Sequence, residues 1–576
     1  MSGSTLKKIV GDYDWKILCA PSVPCKKEGR QQPPFFAHDE PIAPFIAMVM
    51  GLQHSLAMVG GVITVPLLVA GGFDANLGDE QTQYLISAAL IISGLTSILQ
   101  VSRVKIPFIG ITVGTGLVSV MGTSFTFLPV ARDAISQMKG KSEYLDDDGV
   151  FDGVKAYGAV LGTLLVCSWV EVVLSFIRPT VLRKVFPPVV TGVTVFLIGA
   201  ALVGTGFKYW GGGAFCGDNV LSDEPPLCSG NGDVLLPFGS VEYVGLGFSV
   251  FSMLVILEVL GSPFMRSINV VIALLFGYLV AAVASKDGNN YAVSDKIDAA
   301  DSVTFLWVYT YPLSVYPPLI LPSILAFIIT TVETIGDVST TIEVSKLPVE
   351  SPESFERIRG GLLGDGISSF IAGLGTTLPN TTFSQNNGVI ALTRCASRRA
   401  GIACGVWLIV FGILAKIAAF FTSIPDCVLG GMTTFLFANV AVSGIKILAS
   451  AGNSRRSRFI AACSLGVGLG VTIAPSWATN NLWPCDDCGD ELRSLRDGVI
   501  LVLSTGYSLG CATALVLNMI IPSEAGDIVE ETGLSTAAVD EATPDKDVEK
   551  DLVEAKEDDG EPTAPALVEA PVAEKV

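Results

Sequence analysis

Charge is scarce in this chain. Asp, Glu, Lys and Arg make up 16% of its 576 residues, against roughly a quarter in an ordinary soluble protein. So few charges could not cover the surface of a soluble chain this long, which excludes soluble enzymes and nucleic-acid binders. Histidine is rarer still, with only His38 and His54. There are no paired metal ligands, no GxSxG, no nucleophile–base set and no Walker-A spacing, so neither an intramembrane enzyme nor an ATP-driven pump is expected, and no cofactor. The first 36 residues are polar and hold no apolar h-region, so no cleavable signal is expected.

What fills the chain is apolar. Half of it is hydrophobic, mean hydropathy is +0.57, and there are 60 glycines, a residue commoner in membrane helices than in soluble ones. Much of the net charge of −19 sits in the last stretch, 523–576, with 17 acidic residues and 4 lysines. Such a polar, acidic tail cannot build a core and is expected to be disordered.

Apolar runs long enough for the hydrocarbon core stand at 43–69, 84–101, 107–130, 157–177, 189–206, 244–262 and 268–285, then at 316–338, 357–377, 379–394, 401–424, 427–449, 459–475 and 498–521. The expected fold is an all-α polytopic membrane protein of about fourteen spans. Arg103, Lys105, Arg178, Arg183, Lys184, Arg266, Arg357, Arg359, Arg398, Arg399, Arg455, Arg456 and Arg458 fall in alternate loops. The positive-inside rule then puts both termini, tail included, in the cytoplasm. An odd number of spans on each side of the 286–315 loop turns the second half upside down, a 7+7 inverted repeat of the kind secondary transporters use. The domain plan is a cytoplasmic segment at 1–40, a first repeat at 41–285, an extracellular connection at 286–315, a second repeat at 316–522 and the tail at 523–576. Spans 3 and 10 are expected to be broken, by Gly110, Gly114 and Gly116 in one and by Pro379 with TTFSQNNG in the other. Such interruptions in both halves point to a midplane site.

Ionisable groups are costly inside a bilayer, and each is a functional candidate: His54, Glu171, Glu258, Glu333, Asp337, Asp365, Arg394 and Lys416. Glu333 and Asp337 are four apart and share a helix face. With Asp365 they suggest a proton- and substrate-binding cluster, against a plain interhelical clamp. Glu171 and Glu258 sit near helix ends and read as residues beside loops. In FSQNNGVIALTR, Phe383 to Arg394, the amides of Gln385, Asn386 and Asn387 offer donors and acceptors together, which suits a heterocycle with alternating N–H and C=O groups. A sodium ion would need several oxygen ligands, which this chain could supply, so the residues alone leave the coupling ion open. His54, with an unperturbed pKa of about 6.5, and the close carboxylates favour protons.

QNNGVIALTR, the Gln53-His54 pair, the ETIGD segment and the GDG around Asp365 resemble the nucleobase–ascorbate transporter family. With GDYDW at 11–15 and the order of the spans, the resemblance is closest to its fungal uric acid–xanthine permeases, from about Gly11 to Pro522. It implies core and gate domains, a homodimer in the plasma membrane, an elevator movement and proton symport of oxidised purines, uric acid and xanthine. It also implies that Glu333 and Gln385, with Ser384, hold the purine edge and that Phe125 lies against the ring. His54, Asp337, Asp365 and Asn386 would support the site and couple it to protons, while Arg394, Thr505 and Tyr507 would lie along the path. The fungal pattern usually has Phe where Tyr507 stands. A uracil or broader nucleobase carrier, or an anion carrier of the same fold class, is the alternative. Cys216 and Cys228 share one outside loop and Cys485 and Cys488 another. Disulfides, free thiols and a metal site remain open for these, in that order.

Overall fold

The computed structural model describes residues 13, 15–20 and 34–522, apart from 72–73, 107–109, 179–180, 182–183, 223–224, 350, 453, 479–482 and 485–488. The acidic tail, most of the N-terminal segment, and Cys485 with Cys488 lie outside the described residues.

Helices α1 (Pro44–Ala70) and α2 (Asp79–Ser102) are followed by a short α3 (Phe127–Met138), α4 (Gly153–Cys167) with its continuation α5 (Trp169–Leu174), α6 (Pro188–Trp210), α7 (Val241–Leu260) and α8 (Asn269–Val283). After the connection come α9 (Pro317–Val344), α10 (Pro352–Leu374), α11 (Gln385–Thr393), α12 (Arg398–Ile413), α13 (Ala415–Thr422), α14 (Asp426–Ser450), α15 (Arg455–Ile473), α16 (Asp490–Ser504) and α17 (Gly506–Ile520). Proline opens α1, α6, α9 and α10, where its missing N–H costs nothing and its fixed φ favours the first turn. Seven of the described helices are long and apolar enough to cross a membrane, or nine if each bent pair counts once. The bent pairs are α12–α13, at 74°, and α16–α17, at 86°.

Every expected span other than the third and tenth coincides with a helix or a bent helix pair. In those two the backbone is extended before it turns helical. Strand β1 (Met121–Thr123) precedes α3, and β2 (Asn380–Thr382) precedes α11. The two pair antiparallel, with Gly122 opposite Thr381. The pairing needs glycine, because a Cβ on Gly122 would lie 2.4 Å from the Phe383 ring. Gly114 and Gly116, at φ +91° and +69°, let the chain double back before β1 in a conformation L side chains avoid. Neighbouring helices satisfy several polar groups of the strands, as burial demands. The Ser97 hydroxyl accepts from Met121 N at 2.8 Å, Thr123 donates to Val62 O at 2.8 Å, and Asn380 donates to Thr96 at 3.1 Å.

Residues 131–138, expected as loop after the third span, are helical. Phe127, Val130, Ala131, Ala134, Ile135 and Met138 form a buried stripe at helical spacing along α3. Nor is the 286–315 connection featureless. It carries a short hairpin and a helix, Asp295–Ala299, whose Ile297 and Asp298 carbonyls receive the Lys416 ammonium at 2.5 and 3.2 Å. Cys216 and Cys228 are disulfide-bonded. On the side where α11 ends, Phe36 and Arg394 are joined by a backbone hydrogen bond of 2.9 Å.

Candidate functional site

The paired strands place two helix N-termini, several hydroxyls, three carboxyl groups and an imidazole close together. α9 supplies Glu333 and Asp337 on one face, α10 supplies Asp365, and α1 supplies His54. Asp365 is fully buried, and its Oδ2 accepts from the hydroxyls of Thr334 and Thr381. Asp337 accepts from Thr382 at 3.3 Å. Residues 381 and 382 of β2 thus alternate between the two carboxylates, as side chains on opposite faces of a strand must.

The amides that follow divide their work. The Asn386 amide oxygen accepts from His54 Nδ1 at 2.7 Å, which puts the imidazole proton on that nitrogen, and its N–H donates to Val118 O. Asn387 accepts from Thr341 at 2.7 Å and donates to the Asp337 carbonyl at 3.4 Å. Both side chains are therefore committed to holding α11 against α1 and α9. Ser384 and Gln385 are half-buried, and neither side chain has a hydrogen-bond partner among the described residues. Glu333 is half-buried as well, with Thr126 nearby, and its Oε2 has no hydrogen-bond partner among the described residues.

A wall of rings completes the site. Phe125 stacks on Phe383 with centroids 6.2 Å apart and planes 8° from parallel, and meets Phe437 edge-on at 5.4 Å. These are the separations at which aromatic pairs attract. Phe383 and Phe437 were not singled out in the sequence. Phe383 stands in FSQNNG, but only the pairing of β1 with β2 brings it to Phe125.

The residues expected along a path are more spread. Thr505 lies at the break between α16 and α17 and donates to Leu501 O at 2.7 Å, with Asp133 of α3 at 3.3 Å. Tyr507 is fully buried and donates to Thr126 O at 2.9 Å, one residue from Phe125. Arg394 closes α11 in the left-handed conformation, φ +56°, away from the rings. Arg132 of α3, an expected loop residue, is instead paired with Asp74 at 2.7 Å. Glu171 stands near a helix end as expected, yet it is fully buried, whereas Glu258 is exposed.

An apolar bundle with paired strands leading into short helices, and unpartnered polar groups at their crossing, is the architecture of a membrane carrier. The Permease family model matches residues 45–476. The chain is 44% identical to the uric acid-xanthine permease of Emericella nidulans over 93% of its length and 92% of that protein's. It is 33% identical to the xanthine permease XanP of Escherichia coli, over 82% of this chain and 91% of that one. The chain belongs to the nucleobase–ascorbate transporter family and is a multi-pass membrane transporter, not an enzyme. In fold it is similar to the transmembrane domain of the cyanobacterial bicarbonate transporter BicA, with TM-score 0.50 and 12% identity over 76% of this chain and 99% of that one.

Proposed function

We propose that the protein is a secondary active transporter that takes up oxidised purines, uric acid and xanthine, by proton symport. The observation that carries this is the contrast among three successive amides. Asn386 and Asn387 are spent on the protein, while Gln385, half-buried on the same short helix, has no hydrogen-bond partner among the described residues and keeps its donor and acceptor available. A purine lactam edge offers a matching acceptor and donor in one plane, and its ring suits an aromatic wall. In this reading Glu333 accepts a purine N–H, Gln385 forms the paired bonds and Ser384 adds a hydroxyl. His54 and Asn386 hold the site's floor, and Asp337 and Asp365 couple it to protons. Arg394, Thr505 and Tyr507 line or gate the path.

The names of the fungal and bacterial relatives support a purine substrate. In the family that QNNGVIALTR resembles, Gln at the place of Gln385 goes with purines and Glu with uracil, so a uracil carrier is disfavoured. An anion carrier is disfavoured by the carboxyls of Glu333, Asp337 and Asp365 gathered on α9 and α10, which repel an anion. We further assign α1–α5 with α9–α13 to a core that moves as an elevator, and α6–α8 with α14–α17 to a gate domain that dimerises. Fourteen spans, with both termini cytoplasmic in the plasma membrane, complete the reading. Uptake of labelled xanthine in permease-deficient cells tests it: saturable uptake abolished by a protonophore is expected. No xanthine uptake at normal surface expression, or uptake indifferent to the protonophore, would refute the substrate or the coupling respectively.

A further inference from the structure

Glu171 was expected to be a residue beside a loop, and the proposed mechanism does not use it. Its surroundings argue otherwise. The side chain is 0% exposed. Asp365, also 0% exposed, is its acidic neighbour, and neither oxygen of the Glu171 carboxyl has a hydroxyl, amide or basic donor among the described residues. The backbone brings their helices together: α5 and α10 approach so closely at Gly366 that a Cβ there would sit 2.8 Å from Val172 N. That glycine follows Asp365 directly on α10, and Val172 follows Glu171 directly on α5, so both carboxyl-bearing residues stand next to this close approach of the helices.

The donors present do not balance two charges. Asp365 Oδ2 takes the hydroxyls of Thr334 and Thr381, but its Oδ1 receives no hydroxyl, amide or basic donor. Glu171 has no salt bridge among the described residues. Thr330 of α9 lies alongside it, but gives its hydroxyl to Phe327 O at 3.1 Å. The other charged group facing it is Glu333, also on α9 and also acidic. On α10, Arg357 bonds Glu353 and Thr115 O, and Arg359 stands over the Phe176 ring. Lys155, on α4, bonds Glu143 O. Two bare carboxylates cannot stand as neighbours away from water. A hydrogen bond between carboxyls requires a proton on one of them.

We propose that Glu171 is a positioning residue for Asp365, holding a proton that the two carboxyls share, so that the proton-carrying unit beside Glu333 is the Glu171–Asp365 pair. With the proton on Glu171, its O–H donates to an ionised Asp365. When a second proton arrives at Asp365, the pair becomes neutral and the negative charge facing Glu333 disappears. Glu171 does not touch the substrate; it acts by setting how many protons its neighbour's site can hold. This rests on the reading of the site as proton-coupled.

Glu171→Gln and Glu171→Leu test the pair in the full-length transporter. The Gln amide still donates to Asp365 but cannot release a proton. E171Q should reach the cell surface and keep its xanthine KM at acid pH. Its uptake should fall off at a pH higher than wild type by about one unit, because an amide N–H stabilises the Asp365 anion less than a carboxyl O–H does, so Asp365 holds its proton more tightly. E171L leaves Asp365 without that donor and should lower maximal uptake by about tenfold or more. If E171L does not reach the surface, E171Q decides: a wild-type pH profile in E171Q overturns the proposal. Infrared spectra of the purified proteins provide a readout independent of uptake. Wild type should show one more protonated-carboxyl stretching component than E171Q, and equal spectra would overturn the shared proton. If the component is lost in E171Q while wild-type uptake proves independent of pH, the pair stands and proton symport falls.

Discussion

The two strand-and-helix segments, β1–α3 and β2–α11, begin alike and end differently. Each carries a three-residue strand paired to the other, followed by a short helix. The first then presents an aromatic ring, Phe125, and continues into the charged Arg132–Asp133 pair that meets Asp74 and Thr505. The second presents amides and stops after nine residues at the left-handed Arg394. The shared half of the pattern is structural, because two buried strand edges must satisfy each other. What differs is chemical: one segment offers a flat apolar surface and the other a set of hydrogen-bonding groups. A planar heterocycle needs both.

Removing the shared half should cost most. Gly122→Val places a branched side chain where a Cβ already meets Phe383 at 2.4 Å. We expect a destabilisation of about 1–3 kcal/mol or more from overpacking, seen as a lower thermal midpoint of the detergent-purified protein and loss of surface protein. If Gly122→Val is as stable as wild type, the pairing of the strands is not what shapes the site.

Next come the groups offered by the second segment. Gln385→Glu replaces a donor by a second acceptor and leaves a ligand acceptor unpaired, at about 1–3 kcal/mol, or roughly 5- to 150-fold in affinity. An unaltered uptake constant at normal expression would remove Gln385 from the site. Asn386→Ala should act differently, through His54 rather than through the ligand. It strands a buried imidazole nitrogen that now bonds Asn386 at 2.7 Å, at about 1–3 kcal/mol. The comparison is sharpest if thermal stability drops in Asn386→Ala and stays level in Gln385→Glu.

Tyr507→Phe should have the smallest effect. It deletes the bond to Thr126 O, 2.9 Å long, worth about 0.5–1.5 kcal/mol. Thr126 adjoins Phe125 in sequence and lies near Glu333, so we expect altered selectivity among xanthine, uric acid and hypoxanthine with surface level unchanged. Identical inhibition constants for all three purines would show that Tyr507 is packing alone.

The apolar runs made most of the helices legible in the sequence, since length and composition suffice for a helix that lipid surrounds. The carboxylates of α9 and α10 and the QNNG amides were legible too, because polar groups inside apolar runs stand out. Glu171 stood out equally, but its meaning depends on α5 meeting α10 at Gly366, a contact between residues almost two hundred positions apart. Phe383 and Phe437 were hidden for the opposite reason: an aromatic residue in an apolar run carries no signal until the fold sets it beside Phe125. The division of labour between Asn386, Asn387 and Gln385 likewise follows from which helices stand next to each amide, and identical side-chain chemistry gives no hint of it.

The most direct test of the central claim is the rate of labelled xanthine uptake in permease-deficient cells expressing this chain, measured with a protonophore and with sodium replaced by choline. The account expects saturable uptake that the protonophore abolishes, that choline leaves unchanged, and that alkalinises a lightly buffered medium. Sodium-dependent uptake that survives the protonophore would contradict it and recast Asp337 and Asp365 as cation ligands.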